Sequence, residues 1–257
     1  MGGRPLPAAV LGAADTTAIR VVATSDLHCD GGAESVERLR ATAAEAAGAD
    51  LVLVAGDLTA DGLAQQAHAV ADELGRIDAP VVAVLGNHDE RVQPDDLSEV
   101  LERGGIVVLR CGWRVFELNG VSVGVVGTTG CIGGFAGRGV QGLTRAGRQT
   151  LRRRIRRERA ALERGLAETA GCTVRIVLLH YSPTPETLLG EPQHLVPLLG
   201  CHELAVPIAA HGADLVIHGH AHHGSFEGRV GSAPVFNVAS APEPSWLHDF
   251  TVRAAAG

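Results

Sequence analysis

Acidic, amide and imidazole side chains follow five short apolar segments of this sequence. The residues concerned are Asp26, His28, Asp57, Asn87, His88, Asp89, His180, His220 and His222. Carboxylate, imidazole and amide oxygen together form a hard-to-borderline ligand set, which suits Mn, Fe, Zn or Co better than soft thiolate sites do. These ligands outnumber the needs of one ion, so the pattern favours two metal ions that share one bridging carboxylate.

The spacing inside these motifs agrees with ligands carried on extended backbone. In the Asp-x-His motif and in the His-x-His motif the two side chains are two residues apart, so an extended chain places them on one side. Glycines precede three of the motifs, at Gly56, Gly86 and Gly219. We expect each glycine to allow a sharp turn of the chain toward the site.

The apolar segments alternate with helical patterns along the first 85 residues, as in a βαβαβ unit. Strands are predicted over 19–24, 50–55 and 80–85, and helices over 33–47 and 62–74. This alternation predicts a parallel sheet. In α/β sheets the sites assemble at the carboxyl ends of the strands, which is where the motifs lie.

The rest of the chain continues the α/β pattern around one glycine-rich loop, at 127–142. Further strands are predicted over 106–109, 114–118, 121–126, 174–179, 214–218, 234–238 and 250–253, and further helices over 95–103, 144–170 and 202–211. No repeat of fixed period and no interdomain linker is evident. We therefore expect one domain over residues 1–257, with residues 1–18 as a loose N-terminal arm.

Composition excludes several classes of protein. The chain has 257 residues and a net charge of −7, and its 22 basic residues are all arginine, which rules out a lysine nucleophile or a lysine-bearing phosphate loop. No apolar run reaches the ~18 residues of a membrane span, so no membrane partner is expected. The five cysteines form no C-x-x-C pair and suggest reduced thiols. A cytoplasmic location is the expectation that follows.

The ordered set of motifs resembles the calcineurin-like metallophosphoesterases. The resemblance runs from about Val21 to His222, most of the chain. It implies an α/β fold, a four-layer α-β-β-α sandwich of two mixed β-sheets flanked by helices, with two divalent or mixed-valence ions such as Mn, Fe or Zn. By the same resemblance, one ion is held by Asp26, His28, Asp57 and His222, and the other by Asp57, Asn87, His180 and His220.

The resemblance also implies a reaction, the hydrolysis of phosphate esters by a metal-activated water. His88 would assist the leaving group, and Asp89 would orient His88. The segment 56–62 looks like bacterial phosphodiesterases, including cyclic-nucleotide enzymes. Phosphomonoesterase, nucleotide phosphatase and nuclease remain alternatives on the same ligands. A non-catalytic scaffold is disfavoured because every ligand position and His88 are present.

The partner implied by this chemistry is a small phosphorylated substrate, and the sequence leaves the oligomeric state open. The helix at 144–170 carries nine arginines against three glutamates. Its arginines suit either a solvated face, balanced in part by Glu158 and Glu163, or a docking surface for an anion such as nucleic acid. We favour the solvated face, because aromatic residues for stacking are absent from this helix.

Overall fold

The computed structural model describes residues 9–11, 16–239 and 246–255, which form two six-stranded sheets. The strands are β1 (Ala9–Leu11), β2 (Thr16–Thr24), β3 (Leu51–Ala55), β4 (Val81–Val84), β5 (Val107–Val108), β6 (Gly112–Leu118), β7 (Val121–Thr128), β8 (Val174–Leu179), β9 (Leu215–His218), β10 (Glu227–Val230), β11 (Ala233–Asn237) and β12 (His248–Ala255). The α-helices are α1 (Ala33–Glu45), α2 (Ala64–Leu74), α3 (Pro94–Arg103), α4 (Arg145–Glu168), α5 (Val196–Leu199) and α6 (His202–His211).

Both sheets are mixed. The first has the order β1-β12-β2-β3-β4-β5, in which β2 to β5 are parallel and β12 is antiparallel to β2. The second has the order β10-β11-β9-β8-β7-β6, with antiparallel edge strands β10 and β6. Strands such as β3, LVLVA, are buried along their whole length because helices and the other sheet cover both faces.

The sheets pack face to face, and helices cover their outer sides. One apolar cluster contains residues of both sheets, such as Leu53 of β3 and Ile176 of β8. A second cluster joins the first sheet to α1, α2 and α3, and a third joins the second sheet to α4 and α6. This four-layer arrangement confirms the predicted fold class. Among the described residues, no helix has the length and apolar character required to cross a membrane.

The structure corrects the expectation of a loose arm over residues 1–18. Ala9–Leu11 pairs in parallel with β12, and β2 begins at Thr16. The partner strand of β1 lies about 240 residues away along the chain, so no local pattern could reveal this pairing. The other residues of the expected arm, 1–8 and 12–15, lie outside the described part of the chain.

Helix α4 begins where the sequence predicts. Thr144 is its N-cap residue, and the Thr144 side chain accepts a hydrogen bond from the Gly147 amide at 3.1 Å. The glycine-rich segment 127–142 begins with the last two residues of β7; its remaining residues form no helix and only isolated bridges, at Gly134, Phe135 and Arg138. A strand that the sequence did not predict, β10, pairs with β11 at the edge of the second sheet.

Candidate metal centre

The predicted site residues follow the carboxyl ends of strands from both sheets. The ends of β2, β3 and β4 come from the first sheet, and those of β8 and β9 from the second. Main-chain hydrogen bonds join the loops, since the Asp26 amide donates to Gly56 O and the Gly219 amide donates to His180 O. The His180 Nδ1 atom lies 2.9 Å from Ala55 O and so connects the second sheet to β3.

Four of the predicted ligands adopt the left-handed backbone conformation. The φ angles are 53° at Asp26, 42° at His28, 51° at Asp57 and 71° at His220. Such angles are uncommon for residues other than glycine, and strained backbone of this kind concentrates at functional sites. Four of the seven described non-glycine residues with positive φ are therefore residues to which the motifs assign chemistry.

Side-chain atoms of these residues form overlapping groups that can hold a metal ion. Within each group the ligand atoms lie within 4.8 Å of one another. The groups are Asp26 with Asp57, His180 and His220; Asp26 with His28 and His222; and His28 with Asp57 and His88. Asn87 joins the first group, because its Oδ1 atom lies 3.0 Å from His180 Nε2.

One carboxylate oxygen in these groups is buried without a hydrogen-bond partner in the described part of the chain. Asp26 Oδ1 is buried and has no hydrogen-bond partner among the described residues, although His222 Nε2 lies 3.2 Å away. The other oxygen, Oδ2, accepts hydrogen bonds from the Ser25 hydroxyl and from the His220 amide. Buried polar atoms are almost always satisfied, so an unpaired carboxylate oxygen among imidazoles fits a cation.

The Asp57 carboxylate lies between two sets of imidazoles. Its Oδ2 atom is 3.9 Å from His28 Nε2, and its Oδ1 atom is 3.6 Å from His180 Nε2. The Oδ1 atom also accepts a hydrogen bond of 2.8 Å from the main-chain amide of His88. One carboxylate whose two oxygens face different imidazoles has the arrangement that a bridging ligand needs.

Burial keeps the imidazoles of His28 and His220 neutral, which is the form that binds metals. Burial lowers the pKa of His28 to about 4, against the attraction of the Asp26 charge, and it lowers the pKa of His220 to about 3. His222 differs, because its close contact with the Asp26 carboxylate, 3.2 Å from Nε2 to Oδ1, raises its pKa. A neutral imidazole offers a free lone pair to a cation.

The pKa values of the two central carboxyl groups are shifted in opposite directions. Burial, together with the neighbouring Asp26 and Asp89 charges, raises the pKa of Asp57 to about 6, although His180 opposes the shift. Burial also tends to raise the pKa of Asp26, but His222 and His180 outweigh it and hold that pKa well below its usual range. The site therefore concentrates negative charge that bound cations would neutralise.

The glycines beside the site are needed mainly for close approach, which corrects part of the turn hypothesis. Gly56 has a φ of 90°, and a Cβ there would lie 2.6 Å from His180 Nδ1. Gly86 and Gly219 do not have positive φ. A Cβ at Gly86 would overlap the Asp57 carboxylate, and one at Gly219 would overlap the Ser25 hydroxyl. A sharp turn explains only Gly56, and the other two make room for the loops that carry the carboxylates.

His88 borders the site through its ring. The ring centroid lies 4.6 Å from that of His28, and the two rings meet edge to face. The His88 Nδ1 atom lies 2.6 Å from Ala60 O, so a main-chain carbonyl of the segment after β3 orients the imidazole.

Asp89 does not orient His88, contrary to the sequence-based hypothesis. The buried Asp89 carboxylate accepts hydrogen bonds from the amides of Leu58, Thr59 and Gly86, and from the Thr59 hydroxyl at 2.7 Å. In the turns after β3 and β4 these main-chain amides have no hydrogen bond to a neighbouring strand of the described structure, and they donate to the Asp89 carboxylate instead. Adjacency to His88 in the sequence suggested catalysis, but the structure gives Asp89 the role of joining two ligand loops.

Helix α4 contacts the end of β7 and the loop after it through a buried carboxylate, which the sequence analysis did not predict. Glu158 is 1% exposed, so it does not belong to a solvated helix face as predicted. Its carboxylate accepts hydrogen bonds from the Thr128 hydroxyl, the Gly130 amide at 3.2 Å and the Arg157 guanidinium at 2.6 Å. A buried acid must be satisfied in this way, and the end of β7, the loop after it and α4 itself each supply a donor.

Arg154 links α4 to two parts of the site. Its Nη1 atom pairs with Glu90 Oε2 at 2.8 Å, directly after the Asn-His-Asp motif. Its Nη2 atom donates to Gly130 O at 3.1 Å. The neighbouring Thr129 carbonyl accepts the His180 amide at 3.1 Å. Arg154 thus holds together the segments that carry Asn87 and His180.

Replacing Arg154 with glutamine should lower kcat/KM and weaken metal binding, each by about tenfold, since the removal of groups that orient ligands costs 10–100-fold. Steady-state kinetics and the Mn²⁺ concentration that gives half-maximal activity measure the two effects. Arg152→Gln is the matched control, because Arg152 is exposed on the same helix. Equal behaviour of the two variants would show that the Arg154 contacts do not position the site.

Comparisons with known proteins agree with this fold. The structure resembles that of phosphopantetheinyl hydrolase from Mycobacterium tuberculosis, with a TM-score of 0.68 and 16% identity over 95% of this chain and 96% of that chain. It also resembles TT1561 of Thermus thermophilus, with a TM-score of 0.57 and 19% identity over 87% and 91% of the two chains.

A sequence relative and a family model add to the structural likeness. A probable cyclic nucleotide phosphodiesterase of Synechococcus sp. is 35% identical over 74 residues, a match that spans 27% of this chain and 28% of that protein's length. The model of the calcineurin-like phosphoesterase family matches residues 19–224. The chain is therefore a member of the calcineurin-like phosphoesterase family, whose members are metal-dependent phosphoester hydrolases.

Proposed function

We propose that the chain hydrolyses phosphodiesters at a centre of two metal ions. The observation that carries this proposal is the pair of central carboxylates: Asp26 has a buried oxygen without a hydrogen-bond partner among the described residues, and the oxygens of Asp57 face His28 and His180 separately. A single ion would leave part of this donor set unused. Two ions on either side of Asp57 would use all of it.

The proposed ligand sets follow the groups of neighbouring atoms. One ion would be bound by Asp26, His28, Asp57 and His222, and the other by Asp57, Asn87, His180 and His220. In support, the atoms of Asp26, His28 and His222 form one close group, and His180 and His220 belong to another. Mn, Fe and Zn suit these oxygen and nitrogen donors.

When bound, such ions lower the pKa of a coordinated water and polarise the phosphate, which supplies a nucleophile and an electrophile. The residues of the chain provide the geometry for this chemistry. The His88 amide holds Asp57 Oδ1, and burial keeps the His28 and His220 imidazoles neutral. The His88 ring, held at Nδ1 by the Ala60 carbonyl, borders the site at the place proposed for the leaving group.

The preference for a small phosphodiester substrate rests on the Synechococcus relative, whose name specifies a cyclic nucleotide. A panel of substrates tests it: bis(p-nitrophenyl) phosphate as a linear diester, cyclic AMP as a cyclic diester and p-nitrophenyl phosphate as a monoester. Protein stripped of metal by a chelator should be inactive, and added Mn²⁺ should restore diester hydrolysis.

The panel also separates the alternatives. A higher kcat/KM for the monoester would replace the diesterase assignment with a phosphomonoesterase. Full activity in the presence of the chelator, or no hydrolysis of any substrate with Mn²⁺, Fe²⁺ or Zn²⁺, would overturn the proposal.

A further inference from the structure

The Nδ1 atom of His88 contacts Ala60 O, and the other ring nitrogen, Nε2, contacts an arginine side chain. The Arg91 Nη2 atom lies 3.0 Å from His88 Nε2. The same guanidinium donates from Nη1 to Ala60 O at 3.2 Å, so His88 and Arg91 share one carbonyl acceptor. The Arg91 amide also lies 3.3 Å from His88 O, which keeps the two residues within one turn of chain.

These contacts engage both nitrogens of the His88 ring. A guanidinium only donates hydrogen bonds, so His88 Nε2 must accept one from Arg91. A carbonyl oxygen only accepts, so His88 Nδ1 must donate to Ala60 O. Both ring nitrogens therefore have partners, and the group that lies beyond Nε2 is the Arg91 guanidinium. The positive charge at this end of the ring belongs to Arg91.

The charge on Arg91 is available to a substrate. Its nearest acidic partner is Asp61, with 3.7 Å between Nη1 and Oδ1, and both side chains are about half exposed. Exposed pairs of this length contribute little to stability, so a phosphate ester can compete for the guanidinium. His88 meanwhile belongs to a group of potential ligand atoms with His28 and Asp57, which places Arg91 at the border of the metal site.

We propose that Arg91 is a catalytic residue that stabilises the departing oxygen, and that His88 holds it in place; this inference rests on the proposed function. In the reaction, the attacking water gives one proton to solvent, its oxygen forms a bond to phosphorus, and the phosphorus–oxygen bond to the leaving group breaks. The electron pair of that bond stays on the departing oxygen. An Arg91 N–H group donates to this oxyanion, which then takes a proton from solvent to give the alcohol. A guanidinium suits this role because it stays charged at all working pH values.

The test compares leaving groups of different basicity. The substrates are methyl p-nitrophenyl phosphate and methyl phenyl phosphate, which differ in the stability of the departing phenolate. For Arg91→Gln we expect kcat/KM to fall about tenfold with the p-nitrophenyl ester and about a hundredfold with the phenyl ester, since the less stable oxyanion depends more on a charged donor. Arg91→Lys, which keeps the charge, should recover most of the loss with the phenyl ester.

The control is Arg103→Gln, an exposed arginine of α3 that pairs only with Glu99 among the described residues. This variant should behave as wild type, and metal content should be unchanged in all variants. Equal losses with the two leaving groups, or no loss, would overturn the role of Arg91 while leaving the proposed function intact. If the wild-type protein cleaves only monoesters, p-nitrophenyl phosphate and phenyl phosphate serve for the same comparison. Wild-type protein inactive on both pairs of esters would overturn both proposals.

Discussion

Asp57→Asn should bind little metal and should lose more than about 10³-fold in kcat/KM, the largest effect expected from any single change in this chain. The carboxylate of Asp57 faces His28 with one oxygen and His180 with the other. An amide keeps the shape but offers one neutral oxygen and a nitrogen donor, so it cannot bridge two cations. Metal analysis of the purified variant and diesterase kinetics measure the two losses.

The same variant should not destabilise the metal-free protein near neutral pH. Burial and neighbouring negative charges raise the pKa of Asp57 from 3.8 to about 6 in the folded state. A carboxyl group with a raised folded-state pKa favours folding when protonated, and that contribution disappears as the pH rises from about 4 through about 6. At pH 7 the ionised Asp57 carboxylate is less favourable in the folded protein than in the unfolded chain, and asparagine, which carries no charge, removes this cost to folding. We expect a Tm for metal-free Asp57→Asn at pH 7 equal to or above that of metal-free wild type, without the rise that Mn²⁺ causes in wild type.

Asp72→Asn is the matched control for this experiment, because Asp72 is an exposed residue of α2. Its metal content, kinetics and Tm should equal those of wild type. Two ions per chain in Asp57→Asn would show that Asp57 is not the bridging ligand.

His88→Asn should leave the metal content unchanged and should lower kcat about 10–100-fold, because the residue that holds Arg91 in place is lost. The contact that His88 makes with Asp57 uses the main-chain amide, which every residue at this position retains. The lost ring contacts are those to Ala60 O and Arg91, on the leaving-group side. Metal analysis with kcat and KM from the same preparations separates ligation from catalysis, and His68→Asn, an exposed histidine of α2, is the control.

Either of two results would contradict this assignment. Normal turnover by His88→Asn would remove His88 from the reaction. Loss of metal would make the imidazole a ligand, which its membership of the group with His28 and Asp57 allows.

The fold could be predicted largely from the sequence because its strands are continuous apolar runs between polar turns. The predicted strand at 174–179 has the observed bounds, and the predicted helix at 144–170 differs from α4 by one residue at its start and two at its end. Local patterns are informative here because burial on both faces requires them. Strands β1 and β10 are short edge strands, which carry little pattern of their own.

The site was predictable in its residues but less so in their roles. Motif spacing indicates which side chains lie near strand ends, and the structure brings these side chains together. Spacing does not indicate hydrogen-bond partners, so Asp89 was expected to contact the His88 ring rather than the amides of Leu58 and Gly86. Glu158 was expected at the surface because it lies among arginines, whereas it satisfies donors of a loop distant in sequence. Such contacts depend on how the layers pack.

The most direct test of the account is a titration of metal-free protein with Mn²⁺ in which bound metal and hydrolysis of bis(p-nitrophenyl) phosphate are measured together. The account predicts that binding saturates at two ions per chain and that hydrolysis reaches its maximum only when both sites are filled. Saturation at one ion with full activity, or hydrolysis at the full rate before any metal is added, would contradict it.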